Sequence, residues 1–123
     1  MERWHIPSIA SEGRREPRVL FSSDECRAVV IDLRAGEQLG EHSVHERAVL
    51  QVVSGQVTIG GQECQPGTLA TFAPKERHAV AALSDARLLL LLAPWPGQGH
   101  YADGADVDAA RMPAHGTAAP LAD

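Results

Sequence analysis

Apolar residues come along this chain in short runs, and each run is closed by residues that turn a backbone. Residues 18–22 (RVLFS) open the series, and Ser23, Asp24 and Glu25 end that run with turn chemistry. Residues 27–33 (RAVVIDL) are few and rich in β-branched side chains, which predicts a strand. Ala35, Gly36 and Glu37 break it. Residues 39–45 are polar and carry two histidines, the pattern of a strand facing a cavity rather than a packed core. Residues 47–53 (RAVLQVV) are apolar on both faces. Ser54, Gly55 and Gln56 turn the chain, residues 56–59 pair back, and Gly60 with Gly61 turns it again. Pro66 and Gly67 suit the centre of a type II turn. Residues 68–73 (TLATFA), 78–83 (HAVAAL) and 87–93 (RLLLLLA) complete the series, with a loop at 74–77 and a turn at Asp85.

The result is about eight or nine short strands with turns at roughly 8–12-residue spacing, the signature of an antiparallel sandwich or barrel. Residues 88–92 have helical propensity, but the run is too short and its context too strand-rich for a helix. As a strand it is apolar on both faces. One face fills the barrel, and the other needs a second sheet or a partner subunit, which predicts a homodimer. Three segments follow: an extended N-terminal arm at 1–17, the β-barrel at 18–93 and a flexible C-terminal tail at 94–123. The arm holds Pro7, Gly13 and Pro17, and it either lies on a neighbouring subunit through Trp4 and Ile6 or hangs loose. The tail is rich in Ala, Gly, Pro and Asp, and only Trp95 and Tyr101 in it are suited to fold back over a barrel mouth. His5, His100 and His115 lie in these end segments without partners at ligand spacing and are assigned to the surface.

Composition narrows the classes. At 123 residues the chain has length for one domain with one core. Its net charge is −5 with the acids spread out, whereas a nucleic-acid surface needs clustered Lys and Arg. Cys26 and Cys64 form no CxxC pair and read as free thiols, although their spacing does not exclude a disulfide. The N-terminal stretch has no apolar core of a signal peptide. The longest apolar run, 88–93, is far short of the ~20 residues that span a bilayer. The expectation is a soluble cytoplasmic chain with neither nucleic-acid nor membrane partners.

Two spacings stand out within this frame. Gly36 is followed after five residues by His42, and Gly55 closes the stretch. Gly67 is followed after six residues by Pro74, and after three more by His78. Together they resemble the two motifs of the cupin superfamily, over roughly residues 27–93. The resemblance implies an all-β, antiparallel double-stranded β-helix (a jelly-roll barrel) in a single domain. In cupins that bind metal, the first motif supplies two histidines and a glutamate and the second supplies one histidine. Here His42 and His78 fall on the first and last of those positions. Val44 stands where the second histidine belongs, Ala48 where the glutamate belongs, and Ala82 where an asparagine is often found. The resemblance thus implies a small cupin with a degenerate metal motif.

Three chemistries remain open from the residues. A divalent transition metal (Zn, Fe, Mn, Ni or Cu) needs at least three imidazole or carboxylate ligands, and the candidates are His42, His45, Glu46 and His78. In a regular strand His42 and Glu46 share a face but lie ~13 Å apart, too far for one ion. A β-bulge near Ser43 and Val44 turns His45 inward and makes a set of His42, His45 and His78 with an open position. The second possibility is a metal-free pocket in which His42 and His78 hold a small molecule against Val44, Leu50 and Phe72. In it His45 and Glu46 are a solvated strand end beside Arg47. The third is a filled, structural barrel. The function expected is binding of a small molecule in the barrel, sensing or otherwise non-catalytic. The alternative is a metal-dependent oxygenase or isomerase, a role implied by the resemblance.

Overall fold

A computed structural model describes residues 1–11, 17–100 and 119–121, without the side chains of Glu41 and His42. Tyr101, His115 and most of the expected tail therefore lie outside the described residues, as do residues 12–16 of the expected arm. Among the described residues nine strands form two antiparallel sheets. They are β1 (Arg18–Ser22), β2 (Arg27–Leu33), β3 (Gln38–His42), β4 (Arg47–Ser54), β5 (Val57–Ile59), β6 (Gln62–Cys64), β7 (Leu69–Phe72), β8 (His78–Ala82) and β9 (Ala86–Ala93). One sheet runs β1-β2-β9-β4-β7 and the other β3-β8-β5-β6. No helix among the described residues is long and apolar enough to cross a membrane.

The period-two pattern sets both faces of the larger sheet. Val29, Ile31 and Leu33 of β2, Leu88, Leu90 and Leu92 of β9, and Ala48, Leu50 and Val52 of β4 point inward. They meet Val57 and Ile59 of β5 and Val80 and Ala82 of β8 from the other sheet in one core. The outer face is apolar too: Leu20, Ala28 and Val30 form a second cluster with Leu89 and Leu91. The two-faced leucine strand is therefore as expected, and the chain itself covers part of its outer face. Trp4, Ile6 and Ile9 of the chain's own N-terminal arm lie on it. Trp4 also stacks on Phe21 at 6.1 Å.

The arm is clasped by charges that start or interrupt the apolar strands. Arg87 grips Asp32 through Nε to Oδ1 (2.7 Å) and through a second nitrogen to Oδ2 (3.0 Å). Arg18 donates to the same Oδ2 at 3.0 Å. Each arginine then reaches an arm carbonyl, Arg87 that of Ile6 (2.8 Å) and Arg18 that of Ala10 (2.6 Å). The outer face thus combines an apolar patch with a paired, nearly buried ion cluster.

Two local features position the candidate site. First, β3 carries an extra residue: Leu39 faces Val80 and His42 faces His78, so three steps on β3 match two on β8. The bulge expected near Ser43 and Val44 instead lies upstream of His42, around Gly40 and Glu41. Second, β3 ends at His42, not at residue 45, and a bend leads through His45 and Glu46 into β4. The bend is pinned to the β7–β8 loop, since Lys75 N–H donates to the Val44 carbonyl at 2.7 Å.

Candidate functional site

The two motif histidines meet as backbone. His42 and His78 are directly opposed partners of β3 and β8. On β8 the residues at 78, 80 and 82 are buried alternately, and Val80 and Ala82 belong to the core, so His78 faces inward. Its ring lies flat on Phe72, with centroids 3.9 Å apart and planes 13° from parallel. Its Nδ1 lies 3.3 Å from the carbonyl of Glu76. A carbonyl can only accept, so Nδ1 is the donor in that contact. The backbone of β4 supports the stack, because Ala48 is the partner of Phe72. Val44 and Leu50, named with them as ligand contacts, are buried in the same core. The His42 side chain lies outside the described residues.

His45 and Glu46 are not a solvated strand end. Val44, Glu46, Ala48, Leu50 and Val52 are all buried, one alternating inward row, and the Glu46 side chain is 0% exposed. What covers it is the start of the expected tail. After β9 the chain runs along residues 94–100 across the end of β4. Trp95 packs on the core, Gly97 N–H donates to Glu46 Oε2 at 2.7 Å, and His100 Nδ1 lies 2.8 Å from the same oxygen. The other carboxylate oxygen, Oε1, is buried with no hydrogen-bond partner among the described residues. His100 is 5% exposed, which overturns its assignment to the surface, and Trp95 meets it edge-on at 4.6 Å. Arg27 sits over the Trp95 ring at 4.2 Å. His45 packs against the same segment, edge-on to His100 at 6.4 Å.

A resident ion needs three or more donors around one point. No group of three His, Cys, Asp or Glu side chains among the described residues is so placed. Glu46 Oε2 is already taken by Gly97 and His100, His45 turns to residues 99 and 100, and Val44 and Ala48 are core. Of the expected set His42, His45, Glu46 and His78, His45 and Glu46 face residues 97–100 and His78 stacks on Phe72, while the His42 side chain lies outside the described residues. The cysteines are both free. Burial pushes the Cys26 thiol up; a backbone hydrogen bond at Leu92 opposes that in part, and nearby Glu25 adds to it. It is held as thiol, not as a nucleophilic thiolate.

The sequence reading missed the pairing of Glu46 with His100. Its signal was weak: Glu46 keeps the inward parity of β4, and Trp95 is an aromatic in an otherwise Ala, Gly and Pro setting.

No protein-family model matches the sequence, and no curated protein matches it either. Solved structures do. The chain is similar to a protein with a double-stranded β-helix domain from Klebsiella pneumoniae, with TM-score 0.67 and 17% identity over 76% of this chain and 85% of the other. It is similar to an RmlC-like cupin from Desulfovibrio desulfuricans, with TM-score 0.67 and 18% identity over 76% and 97%. It is similar to KdgF from a Halomonas species, with TM-score 0.63 and 17% identity over 76% and 93%. At these identities the likeness bears on the fold alone.

Proposed function

We propose that this chain, whose fold is that of the cupins, is a binding protein that holds a small, partly apolar molecule in its barrel and does no chemistry on it. The observation that carries this reading is the buried stack of His78 on Phe72 at the strand pair where His42 and His78 meet. An imidazole locked by an aromatic face and a backbone carbonyl is a polar handle of fixed direction in an aliphatic wall, the usual makeup of a small-molecule site. The replacement of two metal-ligand positions by buried Val44 and Ala48 supports the same reading. Sensing follows if occupancy alters the segment at 94–100.

The test is amide NMR of the full chain titrated with a panel of short alcohols, amines and carboxylic acids. A binder is expected to shift the signals of Phe72, His78 and Val80 and to saturate. His78→Ala is expected to weaken it by roughly tenfold or more, the loss of one buried hydrogen bond. Shifts confined to the surface sink the proposal. Elemental analysis of untagged protein runs alongside. Stoichiometric metal that His78→Ala removes favours the metal enzyme instead.

A further inference from the structure

We propose that Glu46 is the ligand-holding carboxylate of the barrel, and that it takes a primary ammonium in exchange for the segment that now covers it, residues 94–100. The proposal rests on the reading that the barrel binds a small molecule, and it names the ligand's chemistry. Its first support is the placement of Glu46. The side chain lies in the inward row between Val44 and Ala48, both core residues, and no part of it reaches solvent. A carboxylate there is costly unless it is paired.

The second support is how it is paired. Both donors, the Gly97 N–H and the His100 ring, come from the covering segment and converge on one oxygen. The other oxygen has no partner among the described residues. The cover is therefore a lid with an incomplete latch: closing it satisfies Oε2 and strips water from Oε1. The lid sits close because glycines let it. A Cβ on Gly97 meets the His45 carbonyl at 2.9 Å and Glu46 Oε2 at 3.1 Å. When the lid lifts, both carboxylate oxygens become available together.

The third support is the sign of the charge that fits. The buried arginines, Arg18 and Arg87, belong to the outer face, where both are bound to Asp32 and the arm. Among the described residues the buried polar side chains of the inner face are Glu46 and His78, with His100 brought by the lid. None of the buried inner-face residues described is Lys or Arg. Such a lining repels carboxylates and complements a donor that carries positive charge. An ammonium has three N–H donors, enough to replace Gly97 and His100 on Oε2 and to supply Oε1 as well.

The experiment compares butylamine, an ammonium at neutral pH, with butyrate, of equal chain length and opposite charge. Amide NMR of the full chain is the readout, with Gly97 as reporter of the lid and Leu90 as reporter of the core. Butylamine is expected to shift the Gly97 and His100 signals to saturation and to speed hydrogen exchange at Gly97 while Leu90 exchange stays unchanged. Butyrate is expected to do neither. Glu46→Gln keeps the size and an acceptor but not the charge, and is expected to weaken butylamine by roughly tenfold or more. An equal response to butyrate, no response to either probe, or unchanged affinity in Glu46→Gln overturns the proposal. Should Glu46→Gln not fold, His100→Ala removes a latch donor and leaves the carboxylate. It is expected to tighten butylamine binding, and unchanged or weaker binding overturns the proposal. Its failure is distinct from that of the barrel reading. Signals at Phe72 and His78 that respond while Gly97 stays silent leave a barrel ligand and remove the ammonium site. A response at Gly97 with Phe72 and His78 silent does the reverse.

Discussion

Gly55→Ala is expected to lose most of the chain's stability, while Gly36→Ala, at the other glycine of the first motif, loses little. Both residues have positive φ, +77° at Gly55 and +88° at Gly36, so an L side chain is strained at either. The surroundings differ. A Cβ at Gly36 meets nothing within 4 Å. At Gly55 it runs into the Asp85 carbonyl oxygen and meets Ala86 Cα at 2.7 Å, both backbone atoms of the chain entering β9. β9 is the central strand of the larger sheet, paired to β2 and β4, so it cannot retreat without opening both ladders. Adding the backbone strain to the overpacking puts Gly55→Ala at about 4 kcal/mol or more, against about 1 kcal/mol for Gly36→Ala. Urea denaturation of the two variants and the parent measures the difference. Equal losses at both positions rule out the close approach as the cause. The pairing of variants therefore separates what the motif spells, two glycines, from what the fold demands, one close approach.

The architecture was largely legible because alternation and turn residues point the same way in this chain. RAVVIDL, RAVLQVV and RLLLLLA each read as strands, and each is one. β6 escaped delimitation because Gln62, Glu63 and Cys64 form a three-residue edge strand with no apolar alternation to mark it. The strand through the first histidine was drawn too long, since periodicity cannot locate a bulge. The extra residue near Gly40 and the bend after His42 became visible only once Val80 and His78 fixed the register. The candidate site was half legible. His42 and His78 were paired by motif spacing, and that pairing is a matter of local register between two strands. Glu46 and His100 are 54 residues apart and joined by tertiary contact alone, and the compositional change at Pro94 argued for a tail instead. Trp95 was the available hint: a large aromatic that packs on the core and brings the next five residues with it.

Asp32→Ala is expected to cost about 3–5 kcal/mol and to free the N-terminal arm, because it leaves two nearly buried guanidinium groups without their counter-ion. Asp32 side-chain exposure is 14%, and that of Arg18 and Arg87 is 10% and 7%, so water does little to screen them. The geometry follows from register. Asp32 and Arg87 are direct cross-strand partners of β2 and β9, while Arg18 pairs with Val30, two residues along the same face. One carboxylate therefore holds both arginines, and the arginines hold the arm, Arg87 at the Ile6 carbonyl and more distantly at that of Pro7, Arg18 at that of Ala10. With Asp32 gone the guanidinium groups seek water, and the arm they hold is expected to be displaced. Trp4, Ile6 and Ile9 then leave Leu20, Val30, Leu89 and Leu91, exposing an apolar sheet face. Amide exchange at Ile9 and protease sensitivity before residue 18 are expected to rise together, with self-association as the arm is lost. A triple change, Arg18→Met with Asp32→Leu and Arg87→Met, removes all three charges and extends the apolar patch. It is expected to be more stable than Asp32→Ala alone, although its arm also loses the arginine contacts to its carbonyls. If Asp32→Ala unfolds within about 1 kcal/mol of the parent, below the usual loss for a broken buried pair, the clasp does not hold the arm and packing alone does. If the triple variant is the weaker of the two, the charges contribute more than their mutual compensation.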